Sequence, residues 1–383
     1  MLLTRGECLQ ILSKLLNVEN ERLHLVDYEL ERDKEAVGYL GEYYTLTLIY
    51  CTTASKTQVE RVFVKALQQQ SDEAEKESIF RKEALLYETL LNEMQKYSRI
   101  TWSPKSFYTR SDLIVLENMK LIGYCGAGNT MLSMNQMHQL LRALAAFHAA
   151  SLVYEQREGI NIGKQFGEYL YEITVAPNID WYTTGISAIL AVIKTLPQYQ
   201  PSMDSQLADA VQRVYEQISP SSKYRNVVCH RDLWAANVFF PADHKDAALL
   251  IDFQTCRYSP PAVDLCFSLY LNLTSAERRR VEVNCIDLYY KCLQKDLQDF
   301  GLESAELIPK SELLQSYEEF RLFGALYNAL VATVIKVPRE FVTNAFKYVD
   351  RSAVILDYMR ENQEFRDVME KCCLEVIEIA LVK

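Results

Sequence analysis

The chain has 383 residues, more than one ordinary hydrophobic core needs, and this length predicts two lobes or domains. Hydrophobic residues make up 49% and charged residues 24%, a balance that excludes a disordered chain. A formal net charge of −10, with a pI near 5.2, excludes the basic footprint of a nucleic-acid binder or of a protein held on an anionic membrane surface.

The segment Met1 to Glu7 lacks a basic stretch followed by an apolar core, so no signal peptide is expected. Cys8, Leu12, Leu15 and Leu16 recur at helical spacing and predict a short amphipathic helix over 5–17. Strands follow. Tyr44, Leu46, Leu48 and Tyr50 alternate with Thr45 and Thr47, and 59–66 repeats the style beyond a polar turn at 53–56. Residues 72–97 are charged, free of Gly and Pro, and place Phe80, Leu86, Leu90 and Met94 on one helical face. A second hairpin is predicted at 105–110 and 113–119.

Beyond Gly123–Gly128 the pattern turns helical. Residues 134–153 and 203–219 carry apolar helix patterns, 225–254 reads as a short β insert, and 262–383 is almost wholly helical, with breaks near Thr274, Gly301, Pro309 and Pro338. The apolar run Ala188 to Ile193 is too short to cross a bilayer. Ten cysteines are scattered without a C-x-x-C pair, as expected for reduced thiols in a cytoplasmic protein. The expected fold class is α+β, with a β-rich N-terminal lobe over 1–120 and a helical C-terminal lobe over 121–383.

Chemistry concentrates in residues 228–254. In His230-Arg231-Asp232-Leu233-Trp234-Ala235-Ala236-Asn237, an aspartate is followed five positions later by an asparagine; fifteen positions further, Asp252 stands in Ile251-Asp252-Phe253-Gln254. Phosphoryl transfer needs a carboxylate beside the attacking hydroxyl and oxygen ligands for a magnesium ion that bridges the nucleotide phosphates. Singly, these residues would be loop caps and turn starters; the ordered set supplies that chemistry. Asp232 is then the catalytic base or hydroxyl-orienting residue, and Asn237 and Asp252 are the Mg2+ ligands. His230 is assigned a structural role, its ring bonded to backbone. Trp234 either packs beneath the loop or walls the acceptor site. Asp264, at the start of an apolar helix, is read as a brace that accepts backbone N–H groups of the catalytic loop.

These residues resemble the kinase-like phosphotransferases that include choline and aminoglycoside kinases. They are most similar to the ecdysteroid-kinase-like (CHK-type) group of insects, whose motif has a Trp two positions after the base and a Gln after Asp-Phe. The resemblance runs over about residues 30–350 and implies a bilobal protein-kinase-like fold. It also implies that Lys65, in Val62-Phe63-Val64-Lys65, contacts nucleotide phosphates and that Glu83, on the following helix, pairs with it. By the same resemblance, backbone groups of Glu117 and Met119 hydrogen-bond adenine, and His148 is structural. No Gly-x-Gly-x-x-Gly is present; Gly38 and Gly41 form the candidate phosphate-covering turn. Arg231 stands where the group usually carries a small residue such as Gly, and Ala236 replaces a polar residue common beside the metal-binding Asn.

Nine residues separate Gln254 from Asp264, too few for an activation segment and a peptide-docking platform, so no protein substrate is expected. The resemblance implies an ATP- and Mg2+-dependent kinase acting on a hydroxyl of an ecdysteroid or similar sterol-like or xenobiotic alcohol. Two other readings stay open at this point. One is a choline-type amino-alcohol kinase, which needs an aromatic and acidic cage for the ammonium group. The other is a catalytically silent kinase-like binding protein, against which the intact set Lys65, Glu83, Asp232, Asn237 and Asp252 argues.

Overall fold

The computed structural model describes residues 2–33, 41–52, 56–67, 74–128, 131–243, 247–342, 346 and 348–381. Helix α1 (Arg5–Leu16) starts at Thr4, whose hydroxyl accepts the Glu7 N–H while the Glu7 carboxylate accepts the Thr4 N–H. Its buried residues Cys8, Ile11 and Leu12 cover one face of a five-stranded antiparallel sheet. The strands are β1 (Leu23–Arg32), β2 (Gly41–Thr52), β3 (Gln58–Leu67), β4 (Ser106–Arg110) and β5 (Leu113–Glu117), in the order β1-β2-β3-β5-β4. The period-two pattern predicted over 44–50 is the buried row Leu46, Leu48 and Tyr50. Strand β1 has no counterpart among the predicted elements. It is an edge strand buried only at Leu23 and Leu25, so its charged residues mask the alternation.

The charged segment between β3 and β4 is not one helix but two, α2 (Ala74–Glu88) and α3 (Leu90–Lys96). The break falls at Thr89, whose hydroxyl turns back onto the Leu85 carbonyl, while the Asn92 amide takes the Tyr87 carbonyl. Uniform helical composition gave no sign of this competition.

The second lobe begins with β6 (Tyr124–Gly126) and the long buried helix α4 (Met134–Glu158), capped by Ser133 and Gln136 and closed by Gly159 at φ +65°. Helices α5 (Ile162–Gln165), α6 (Asp180–Ile193) and α7 (Asp204–Glu216) lead to a set of short strands: β7 (Val227–Cys229), β8 (Val238–Pro241), β9 (Leu249–Leu250) and β10 (Arg257–Ser259). Strands β6, β8 and β9 form one small sheet, and β7 pairs with β10 in another. The rest is helical: α8 (Ala262–Asn272), α9 (Ser275–Gln298), α10 (Ser304–Leu307), α11 (Lys310–Ile335), α12 (Ser352–Glu361) and α13 (Gln363–Leu381). Thr274 caps α9, Gly301 turns the chain at φ +70°, and Pro309 starts α11, so the predicted breaks are helix boundaries.

Every residue of α8 is buried, and the main core forms around α4 and α8. That core also takes in Phe80, Leu86, Leu90 and Met94, so α2 and α3 pack on the helical lobe as well as on the sheet. The class is therefore α+β, an antiparallel-sheet lobe followed by a helical one. Among the described residues no helix is long and apolar enough to cross a membrane, and all ten cysteines are free thiols.

Candidate active site

Two loops meet at the junction of the lobes, and the short strands place both. Strand β7 ends at Cys229 and releases His230, Arg231 and Asp232; β9 ends at Leu250 and releases Ile251 and Asp252. The pairing Arg257↔Cys229 returns the chain after Asp252 to the strand that precedes Asp232. The His230 ring accepts or donates at Nε2 to the Ile251 carbonyl (2.8 Å), and Thr255 Oγ1 donates to the His230 carbonyl (2.7 Å). Each loop is thus bonded to the other beside its carboxylate.

The loop that carries Asp232 is also held from below. Asp264, fully buried at the start of α8, accepts the His230 N–H at Oδ2 (2.6 Å) and the Arg231 N–H at Oδ1 (2.8 Å). His148 on α4 reaches the same carboxylate through Nε2 (3.1 Å) and Tyr289 Oη through Nδ1 (2.7 Å). Burial alone would push the Asp264 carboxyl up, but the His148 bond, His230 and the loop N–H groups bring it below the usual range. Cys229 lies against this group, yet its thiol donates toward the Ser259 and Pro260 carbonyls and burial pushes it well up. The His148–Cys229–Asp264 cluster is therefore a closed hydrogen-bond network rather than a thiolate metal site.

Both loops use left-handed backbone at a non-glycine residue, Arg231 at φ +70° and Asp252 at φ +67°. A small residue such as Gly suits position 231 for this reason. Here Arg231 is buried instead, its guanidinium 4.9 Å from the Phe323 ring and 5.8 Å from Phe267, and 3.3 Å from a Glu172 carboxylate oxygen. The residue after Asp252 is locked too: Phe253 packs against His230, Tyr87, Phe147 and Trp102, with ring centroids 4.9 to 6.0 Å apart.

Lys65 projects from β3 into the junction. Its ammonium donates to Glu83 Oε2 and to Asp252 Oδ1, both at 2.6 Å. Burial disfavours that cation, but the Asp252 and Glu83 carboxylates outweigh it and hold it charged. With two carboxylates sharing one ammonium, burial pushes Glu83 upward. Gly41, opposite Leu67 on the neighbouring strand, is needed for close approach: a Cβ there would sit 3.0 Å from the Ala66 carbonyl oxygen and 3.3 Å from Lys65 Cγ. Gly38 lies outside the described residues.

Asn237 donates from Nδ2 to the Asp232 carbonyl (2.9 Å) and to Asp232 Oδ2 (2.8 Å), which turns its amide oxygen away from Asp232. That oxygen and the Asp252 carboxylate are hard ligands of the kind magnesium takes, so the residues present fit Mg2+. Burial, reinforced by Asp252 and opposed by the Asn237 bond, pushes the Asp232 carboxyl up to about 7.

These groups open into one cleft of about 590 Å³. On the sheet side it is lined by Tyr43, Phe63, Lys65, Leu116 and Met119; on the helical side by Ile173, Trp181, Trp234, Leu271, Tyr327 and Val331. Trp234 is therefore a wall of the cleft. At the segment joining the lobes, the Glu117 N–H is taken by the Lys105 carbonyl and the Met119 carbonyl by the Tyr124 N–H (2.8 and 2.9 Å). Met119 lines the cleft together with Asn118 and Lys120. Glu172, Ile173 and Tyr327 were not among the predicted site residues. None carries a local motif, because tertiary packing brings Ile173 and Tyr327 to the cleft and Glu172 to Arg231.

An antiparallel lobe with a lysine–glutamate pair, set over a helical lobe with two joined carboxylate loops, defines a kinase-like phosphotransferase. The model of the ecdysteroid kinase-like family matches residues 36–302, and the chain belongs to that family. No curated protein matches it. Similar solved structures include an ethanolamine kinase of Plasmodium vivax, at 12% identity over 97% of this chain and 86% of that one, with a TM-score of 0.44. A macrolide 2′-phosphotransferase of Brachybacterium faecium is 12% identical over 83% of this chain and 92% of its own, with a TM-score of 0.40. A choline kinase of Streptococcus pneumoniae is 13% identical over 85% and 89%, with a TM-score of 0.41.

Proposed function

We propose that the chain transfers the γ-phosphate of ATP to a hydroxyl of a neutral, largely apolar alcohol of the ecdysteroid or sterol-like type. Asp232 takes the hydroxyl proton as the new oxygen–phosphorus bond forms and the bond to the β–γ bridging oxygen breaks, releasing ADP. Asn237 and Asp252 hold Mg2+, which when bound neutralises phosphate charge. Lys65, paired with Glu83, contacts the phosphates. The Glu117 carbonyl and the Met119 N–H, on either side of the hydrogen bonds already made there, face the adenine.

The observation that carries the acceptor reading is the helical side of the cleft. Ile173, Trp181, Leu271, Tyr327 and Val331 line this side together with Asp232, and the other carboxylate that the described residues of the helical lobe bring to the lining, Asp252, is taken up by Lys65. An ammonium group would need an acidic rim as well as rings; a fused apolar skeleton with hydroxyls needs what is present. Magnesium-dependent ATP consumption measured against ecdysone, cholesterol, choline and ethanolamine tests this. Turnover with ecdysone and none with choline is the expected result. Preference for choline or ethanolamine overturns the acceptor reading, and silence with all four, together with no thermal shift from Mg·ATP, overturns the kinase reading.

A further inference from the structure

Residues 170–175 form no helix or strand, yet they touch three parts of the machinery. On one flank is α2. Lys82, the neighbour of Glu83, is buried and donates from Nζ to the Tyr171 carbonyl (2.8 Å), with its ammonium 4.9 Å from the Tyr171 ring centre. Tyr171 Oη in turn donates to the Ser78 carbonyl (3.0 Å) and lies 2.8 Å from the Ser78 hydroxyl. A segment of the helical lobe is thereby fastened to the helix that presents Glu83 to Lys65.

The next residue faces the other way. Glu172 Oε1 accepts the N–H groups of Ile173 (3.1 Å), Thr174 (2.8 Å) and Val175 (3.0 Å) and the Thr174 hydroxyl (2.8 Å). Its Oε2 lies 3.3 Å from Arg231 Nη2 in the catalytic loop and 3.5 Å from Arg257 Nε on β10. Ile173 and Thr174, whose backbone this carboxylate gathers, line the cleft.

We infer that Tyr171–Glu172 is a coupling strap, tying the acceptor wall and the catalytic loop to the helix that carries Glu83, with Lys82 and Glu172 as its positioning residues. Its significance for turnover rests on the phosphotransfer reading above. The physical case is that neither end can loosen alone. Arg231 is fully buried, so Glu172 cannot withdraw without leaving an unpaired cation inside the protein. Lys82 is equally enclosed, with burial pulling its amine down to about 7, so Tyr171 cannot withdraw without leaving a buried nitrogen donor short of its acceptor. The strap is therefore docked or undocked as a unit, and such an element passes a bias in both directions. Glu172 is suited to the part: against burial, Arg231, Arg257 and the backbone N–H groups bring its carboxyl down to about 2.

Amide hydrogen exchange on the full chain, without nucleotide or acceptor, tests the coupling in Glu172→Gln and Lys82→Met. In Glu172→Gln, peptides covering 76–88 should exchange about fivefold faster or more, although Glu172 has no hydrogen bond to α2 among the described residues. In Lys82→Met, the amides of Ile173, Thr174 and Val175 should accelerate likewise, and both variants should bind Mg·AMP-PNP about fivefold more weakly or worse. If each substitution changes only its own segment, the strap is two unrelated contacts and the inference is wrong. Should Lys82→Met fail to fold, Tyr171→Phe replaces it: it removes the hydroxyl that bonds both the carbonyl and the hydroxyl of Ser78 while keeping the ring beside Lys82, and the same direction of change is required. A parent chain that neither binds Mg·AMP-PNP nor consumes ATP defeats the phosphotransfer reading but leaves the exchange result to be judged separately.

Discussion

Replacing Arg231 with glycine sets a backbone gain against a side-chain loss, and the structure says which is larger. At φ +70° a non-glycine residue costs about 1–2 kcal/mol, which glycine removes. Glycine returns roughly 0.5–1 kcal/mol of that through its greater freedom in the unfolded chain. The loss is the guanidinium between Phe323 and Phe267 and its pairing with Glu172. Breaking a buried pair from one side costs about 3–5 kcal/mol. The lower end applies, because Glu172 keeps Arg257 and four hydrogen bonds, and because Arg231 Nε and Nη1 are themselves buried without a hydrogen-bond partner among the described residues. The net is a destabilisation of about 2–3 kcal/mol. Extrapolating the size dependence of melting to this chain, at roughly 1.5 °C per kcal/mol, gives a Tm lower by about 3–5 °C. Scanning calorimetry at neutral pH measures it. Arg231→Ala isolates the strain, since it loses the same side chain but keeps the backbone cost, and should melt a further 1–2 °C lower, on the order of 1 kcal/mol. A glycine variant as stable as its parent refutes the argument for the buried pair, and an alanine variant equal to glycine refutes the argument for strain.

Four further outcomes are expected. Asp232→Ala should abolish turnover and leave Mg·ATP binding within about twofold, whereas Asp252→Ala should weaken Mg·ATP binding tenfold or more, on the order of 1.4 kcal/mol, because it removes both a metal ligand and a partner of Lys65; isothermal titration separates them, and equal binding loss in both contradicts the roles. With burial and then Asp252 raising Asp232 from its ordinary value near 3.8 to about 7, turnover should climb with pH through a midpoint near 7, and a midpoint near 4 contradicts this. The same group binds its proton more tightly folded than unfolded, so between those two values stability should fall as pH rises, and Asp232→Asn should flatten that slope in melts taken across the window. Finally, a Cβ at Gly185 would lie 2.5 Å from Arg351 Nη2 and 2.7 Å from Leu330 Cγ; since the Arg351 side chain is itself fixed by Thr333 and Thr184, Gly185→Ala should lower stability by about 1–2 kcal/mol despite its better helix propensity, and an unchanged melt counts against that packing.

What the chain discloses in one dimension follows from where the determining forces act. The alternation at 46, 48 and 50 and the proline and glycine breaks in the helical lobe are local, and both are readable. Strand β1 is not, because an exposed edge has one buried end and a charged remainder. Thr89 ends α2 through a hydrogen bond that competes with the helix, which composition does not reveal. At the site, the order of Asp232, Asn237 and Asp252 is sequence-coded, since a single pair of adjoining loops holds all three. Glu172 is the contrary case: an acid in an irregular segment, it gains meaning only when Arg231 on the loop after β7 and Arg257 on β10 close around it. The unusual Arg231 stands between these cases, visible as a departure but explicable only once its φ angle and its neighbours are known.

The pairing of β7 with β10 has a bearing on control. Between Gln254 and Asp264 the backbone spends its few residues on a ladder to Val227–Cys229 and on the Thr255 bond to His230, then enters a buried helix. A stretch so short and so fully engaged has no slack to swing out, to take up a covalent mark, or to adopt a second resting position. Any movement that reshapes this cleft has to come from outside residues 254–264.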